Sequence, residues 1–237
     1  MLDNLFLIDI ETVPQFKNYN ELSNEWQTLW WEKISKTMPE NISPENSYLQ
    51  RAGILAEFGK IVCISTAYYF TNEKNETSLK IKSIYGDDEI LILNTFITLC
   101  DRMYSHNKLY QFAGHNIKEF DIPYICRRMI INNLSLPDYL NFYEKKPWEI
   151  KLFDTLSWWK FGDYKNYITL HLLASVLGIP TSKTDMDGSM VQVVYYEEKN
   201  LRRIADYCQL DVIVTANIVL RFQNLPILNE SNILDVQ

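Results

Sequence analysis

The decapeptide LFLIDIETVP, Leu5–Pro14, constrains the fold more tightly than any other stretch of this 237-residue chain. Four apolar residues lead into Asp9, Ile10 and Glu11. A bounded apolar run this short reads as a buried strand. Side chains alternate faces along a strand, so Asp9 and Glu11 point the same way if the strand continues through Glu11. Two like charges about 4 Å apart repel by roughly 4 kcal/mol at an effective dielectric near 20, and a proton or a cation must relieve them. If the strand stops at Asp9 instead, both side chains are solvated. The pair alone leaves both outcomes open.

The rest of the chain supplies partners for that strand. Residues 60–70 (KIVCISTAYYF) and 79–85 (LKIKSIY) are β-branched and aromatic and read as the next two strands. The polar link TNEKNETS between them favours an antiparallel hairpin. Residues 87–103 carry apolar positions at helical spacing behind an acidic start. A fourth strand at 109–114 precedes the helix DIPYICRRMIINN, and 152–154 reads as a short fifth strand. Residues 167–177 form a helix stopped by Gly178 and Pro180, and 201–222 the last long helix. Three early strands, then strands alternating with helices, predict an α/β domain with a mixed sheet covered by helices.

Residues 15–59 break that rhythm. Two helical stretches, NEWQTLWWEKISKTM and SYLQRAGILAEF, flank a Pro-containing polar loop and read as an insertion between the first two strands. Trp26, Trp30 and Trp31 in the first stretch suit either packing against the body or a platform on which bases stack.

Hydrophobic residues make up 47% of the chain and aromatics 14%, which suffices for one full-sized core. A net charge of −7 argues against a large basic surface that binds nucleic acid nonspecifically. It leaves room for an enzyme that grips a strand end through metal ions and a local patch. Cys63, Cys100, Cys126 and Cys208 lack zinc-like spacing and read as reduced core thiols. With no leader pattern at the start and no run near the roughly 18 apolar residues of a membrane span, the expectation is a cytoplasmic protein without a membrane partner.

More acidic residues join the first two. In GHNIKEFDIPYICRR, Asp121 follows Phe120 at a strand–helix junction, and in ADYCQLDVIVT, Asp211 lies four residues after Tyr207. That spacing stacks the phenol and the carboxylate on one helix face, about 6 Å apart along the axis. Carboxylates from a first strand, a strand–helix junction and a late helix can meet at one end of a sheet. Four of them suit two hard divalent cations about 3.5–4 Å apart, an arrangement that serves phosphodiester displacement. Tyr207, with an ordinary pKa near 10, would hold the attacking water and not act as its base.

DIETVP, HNIKEFD and YCQLDV resemble the three motifs of DEDD-type 3′-5′ exonucleases, in particular the stand-alone group related to the proofreading domain of family B DNA polymerases. The resemblance implies a ribonuclease H-like fold, a mixed five-stranded sheet flanked by helices with a helical insertion between the first two strands. It implies one exonuclease domain over residues 1–223, insertion at about 15–59, with 224–237 as a tail outside it. It also implies that Asp9, Glu11, Asp121 and Asp211 bind two divalent cations, Mg2+ or Mn2+, and that Tyr207 is the tyrosine of the Y-x-x-x-D subtype. The rival subtype needs a histidine five residues before the last aspartate, where this chain has Asp206. Asn116 and Phe120 match N-x-x-x-F-D, whose residues hold the substrate strand and shape the site. AEFGKIVCIS and SKTDMDGSMV are similar to further segments of the group.

Other residues carry weaker expectations. His115 is a candidate phosphate contact or a structural hydrogen-bonder, and Lys183 a strand-gripping cation or a solvated loop charge. Asp154 is a candidate neighbour of the metals, and His171 reads as a satisfied helix residue. Arg127, Arg128, Lys145, Lys146 and Lys151, the lysines around Trp148, are the best places for a phosphate-contacting patch. The expected activity is metal-dependent 3′-5′ hydrolysis of single-stranded nucleic acid, with DNA ahead of RNA. The alternatives are RNA 3′-end trimming and a non-catalytic binding module on the same scaffold.

Overall fold

In the computed structural model, which describes residues 2–236 apart from 40, 108, 147, 164, 166 and 182–185, the first strand does not stop at Asp9. β1 spans Leu5–Pro14. It lies within a six-stranded sheet with β2 (Gly59–Thr71), β3 (Thr77–Tyr85), β4 (Gln111–Gly114), β5 (Phe153–Asp154) and β6 (Ile233–Asp235). The order is β5-β4-β1-β2-β3-β6. β2 runs antiparallel to both its neighbours, β1 and β3, the latter as the short polar link requires, while β4, β5 and β6 join in parallel. The first five strands form the mixed sheet expected. The sixth comes from the tail, where Ile233, Leu234 and Asp235 pair with Leu79, Lys80 and Ile81. Three residues are too few for a period-2 pattern to reveal.

The helices are α1 (Asn24–Ile34), α2 (Pro44–Arg51), α3 (Glu89–His106), α4 (Asp121–Ile131), α5 (Thr155–Trp159), α6 (Leu170–Val176), α7 (Val191–Val193) and α8 (Leu201–Phe222). α7 runs on into a π-helical turn, Val194–Glu198. Alternation along β1 sorts the core into two layers. Phe6, Ile8 and Ile10 pack with α3 and α4. Leu5 and Leu7 pack with Val212, Ala216, Val219 and Leu220 of α8. Burying each such leucine is worth about 1.5–3 kcal/mol, which holds α8 on that face. The same row then continues with Asp9 and Glu11.

The insertion builds a small core of its own. Ser23 and Ser43 cap α1 and α2 by accepting from the backbone N–H groups of Trp26 and Asn46. Trp30 is fully buried, donates from Nε1 to Ser47 Oγ at 2.9 Å, and meets Tyr48 and Phe58 edge-on. Packing is therefore the role of Trp30, while Trp26 and Trp31 keep exposed faces.

Arg128 corrects an expectation. It is buried and donates from Nε and Nη2 to the Glu89 carboxylate at 2.9 and 2.6 Å and from Nη1 to the Ala56 carbonyl at 2.8 Å. Glu89 also accepts from the Ile61 backbone N–H at 2.7 Å. This pair joins α3, α4 and β2, and it holds the buried Arg128 away from any phosphate at the surface, unlike its exposed neighbour Arg127.

Candidate active site

β1 outruns its neighbour. Its pairing with β4 ends at Leu7 and Ala113, so the β1 edge lies open beyond that point. β4 must stop at Gly114, where a Cβ would run into Ile117 and lie 2.8 Å from the Ile8 carbonyl oxygen. The chain then turns through Asn116, whose φ of 63° is a left-handed conformation that asparagine tolerates better than most residues. α4 begins at Asp121, and its carboxylate fills the open edge by accepting from the Ile10 N–H at 3.1 Å.

Asp154 fixes the turn that delivers Asp121. Its Oδ1 accepts from the backbone N–H groups of Asn116, Leu156 and Ser157 at 3.0, 2.9 and 3.3 Å, and its Oδ2 from Lys118 N–H at 3.1 Å. One buried carboxylate thus caps α5 and orders the segment between β4 and α4.

α8 completes the group from the other side. Tyr207 and Asp211 share a face at i, i+4, and the Tyr207 hydroxyl donates to the Asp211 carboxylate. Cys208 is buried one position on, and its thiol faces the Asp9 Oδ2 at 3.3 Å and the Asp9 carbonyl oxygen at 3.4 Å. One ligand atom each from Asp9, Glu11 and Cys208 lie within 4.8 Å of one another. Cys208, not Asp121 or Asp211, completes that tight group among the described residues.

The electrostatics join all four carboxylates. Burial raises the proton affinity of Asp9, and Asp121, Asp211 and Glu11 raise it further. Glu11 is raised by burial first and then by Asp211, Cys63 and Asp121. Burial pushes Asp121 up to about 7, although the hydrogen bond from Ile10 opposes it. Asp211 is pushed up to about 6 by burial, with the hydrogen bond from Tyr207 and the nearby His171 side chain pulling the other way. Burial and the negative field of Asp211, Glu11 and Asp9 raise Tyr207 too, so its phenol is neutral at neutral pH. Among the described residues, no lysine or arginine forms a salt bridge to any of the four.

The remaining candidates fall in different places. Phe120 is half-buried at the edge of the core, its ring 5.4 Å from Tyr124. Asn116 Oδ1 is buried without a hydrogen-bond partner. His115 engages both ring nitrogens, Nδ1 with Thr155 Oγ1 at 2.9 Å and Nε2 with the Ile168 carbonyl at 3.0 Å, which leaves neither for a phosphate. Lys183 lies outside the described residues. A cleft of about 810 Å³ opens beside Tyr207 and Asp211, lined also by Tyr167, Thr169, His171 and Asp187. Sequence reasoning missed the proximity of His171 and of Cys208. Only the position of Cys208, three residues before Asp211 on a helix, could have signalled it.

The donor set fits hard divalent cations. Four carboxylates with raised proton affinity, and with no lysine or arginine salt bridge among the described residues, are relieved by positive charge supplied from outside. Oxygen donors suit Mg2+ or Mn2+, and the protonated Cys208 thiol serves as a hydrogen-bond donor beneath them.

Comparison with known proteins finds a family model and similar solved structures. A family model described as a predicted 3′-5′ exonuclease related to the exonuclease domain of PolB matches residues 54–227. That span includes Asp121, Tyr207 and Asp211 and begins after Asp9 and Glu11. The family B DNA polymerase from the hyperthermophilic archaeon Pyrobaculum calidifontis is similar over 92% of this chain, at 14% identity and a TM-score of 0.47. The chain spans 24% of that polymerase. No curated protein matches the chain, and no described helix is long and apolar enough to cross a membrane.

Proposed function

This chain belongs to the family of predicted 3′-5′ exonucleases related to the exonuclease domain of PolB, and on that footing we propose that it removes nucleotides from single-stranded 3′ ends. The reaction is hydrolysis of the terminal phosphodiester, with nucleoside monophosphates as products and DNA as the expected polymer. One observation carries this reading: four carboxylates, Glu11 and Asp121 buried and Asp9 and Asp211 half-buried, with no lysine or arginine salt bridge among the described residues, converge where β1 outruns β4, next to a tyrosine hydrogen-bonded to one of them.

Asp9, Glu11, Asp121 and Asp211 would hold two divalent cations, Mg2+ or Mn2+, which supply Lewis acidity to the attacking water and the leaving oxygen. Tyr207 is too weak an acid to serve as base, and its hydroxyl, oriented by Asp211, positions the water. Asn116 and Phe120, on the turn that Asp154 orders, hold the terminal nucleotide, and the orphaned Asn116 Oδ1 supports that assignment. His115 acts indirectly, by bracing the turn against Thr155 and residue 168. Lys183 is assigned a phosphate contact on its charge alone. Residues 1–223 carry every residue assigned to the reaction, while 224–237 add the sixth strand to the same sheet, and the free cysteines fit a cytoplasmic setting.

End-labelled DNA and RNA oligonucleotides of one sequence, incubated with Mg2+ or Mn2+, test this directly. The expected result is stepwise shortening from the 3′ end that stops with chelator and is absent in Asp211→Ala. Strands that are bound but never shortened with either metal, or shortened equally in chelator, would overturn it.

A further inference from the structure

A second groove, of about 540 Å³, opens on the α4 side of the sheet, whereas the Tyr207–Asp211 cleft lies on the α8 side. It follows α4 from Ile122, the residue after Asp121, to Ile130, a span of about 12 Å at 1.5 Å per residue. Lys118, three residues before Asp121, lines the same groove. The groove therefore runs along α4, whose first residue is Asp121.

Its chemistry is unlike the rest of the surface. In a chain of net charge −7, its charged wall residues are Lys118 and Arg127, and among the described residues no acidic side chain lines it. The cleft on the α8 side carries Asp187 and Asp211 instead. Tyr143 stands on the groove wall with 80% of its surface exposed. Beside it, Lys145 Nζ lies 5.5 Å from the Phe142 ring centre, and Lys146 Nζ 5.4 Å from that of Trp148, which is 76% exposed. Exposed aromatic faces interleaved with cations offer unstacked bases a surface and phosphates a counter-charge.

We infer that this groove holds the single strand upstream of the scissile phosphodiester, with Lys118 and Arg127 on backbone phosphates and Tyr143 stacked on a base. The inference rests on the exonuclease reading for its direction, but the groove's affinity does not depend on hydrolysis. Phosphate and base are common to DNA and RNA, so both polymers enter the test.

Fluorescence anisotropy of the full chain in chelator, with oligothymidylate and oligouridylate of about twelve nucleotides, reads strand binding without hydrolysis, and groove variants isolate the groove's share. Arg127→Glu and Tyr143→Ala each weaken binding of at least one polymer by about fivefold or more, and the double variant by about twentyfold or more. Arg127→Gln makes the dependence of log K on log salt shallower by about 0.7, the loss of one single-strand phosphate contact. Lys74→Glu, the same charge change on the β2–β3 turn, leaves affinity within about twofold. Both target residues are exposed, so melting temperatures should be unchanged. Groove variants that bind both polymers like the wild type would overturn the inference and leave the apolar wall to a protein partner. Wild-type binding that these variants weaken, without hydrolysis in any metal, would sustain the groove and sink the exonuclease reading.

Discussion

The Asp121 carboxylate accepts a hydrogen bond from the Ile10 backbone N–H at 3.1 Å, which ties α4 to the one residue that separates Asp9 from Glu11. The acid that completes the site is thus also the partner of a buried donor on the open edge of β1. Asp121→Asn keeps an acceptor for that donor and removes a charge that burial disfavours, so without metal at about pH 8 it should match or exceed wild-type stability. Asp121→Ala orphans the donor and should cost about 1–3 kcal/mol. Both should lose more than about 100-fold in hydrolysis, beyond what loss of an indirect metal contact does. Urea unfolding in chelator, alongside a rate assay, separates the two variants.

Tyr207→Phe removes one hydroxyl and nothing else. If the phenol positions the attacking water, kcat should fall by about 100-fold, the low end of proton-transfer and orientation effects. Mn2+ affinity measured by calorimetry should stay close to that of the wild type. A large loss of metal affinity would mean that the hydroxyl acts by holding Asp211.

The metal-free protein should be less stable in mild base than in mild acid. Asp121 is pushed up to about 7 and Asp211 up to about 6, from an ordinary value of 3.8, in both cases chiefly by burial. Between the ordinary and raised values the folded state binds more protons than the unfolded state, so stability falls as pH rises through that window. It is fully present only below the ordinary value. Thermal melts in chelator should show Tm several degrees higher near pH 5 than near pH 8, and saturating Mg2+ should raise Tm more at the higher pH. A chelated protein that gains stability over that range would contradict the buried, uncompensated cluster.

Asp154 separates architecture from chemistry. Asp154→Asn retains Oδ1 and its three backbone donors and loses only the bond from Lys118 N–H to Oδ2, a change of about 1 kcal/mol. Asp154→Ala strips all four and should cost about 3 kcal/mol. Activity should follow stability in both variants, because Asp154 acts by placing Asn116 and Asp121. Full loss of activity in a stably folded Asp154→Asn would assign it a direct role.

The sequence carries β1 in two ways, through its apolar lead and through the row Leu5, Leu7, Asp9, Glu11 that faces α8. It carries Tyr207 and Asp211 through helical spacing. What it hides depends on contacts between distant segments. The four N–H groups that converge on Asp154 come from the β4–α4 turn and from the first turn of α5. The burial of Arg128 needs Glu89 from another helix. The sixth strand is three residues whose only reason to extend is the free edge of β3. Periodicity reports one element's own face, and none of these is a property of one element.

The most direct measurement is anomalous diffraction from a crystal soaked in Mn2+. Manganese peaks enclosed by Asp9, Glu11, Asp121 and Asp211, with Tyr207 alongside, are the result the account predicts. Peaks elsewhere, or none among those carboxylates at saturating Mn2+, would contradict it.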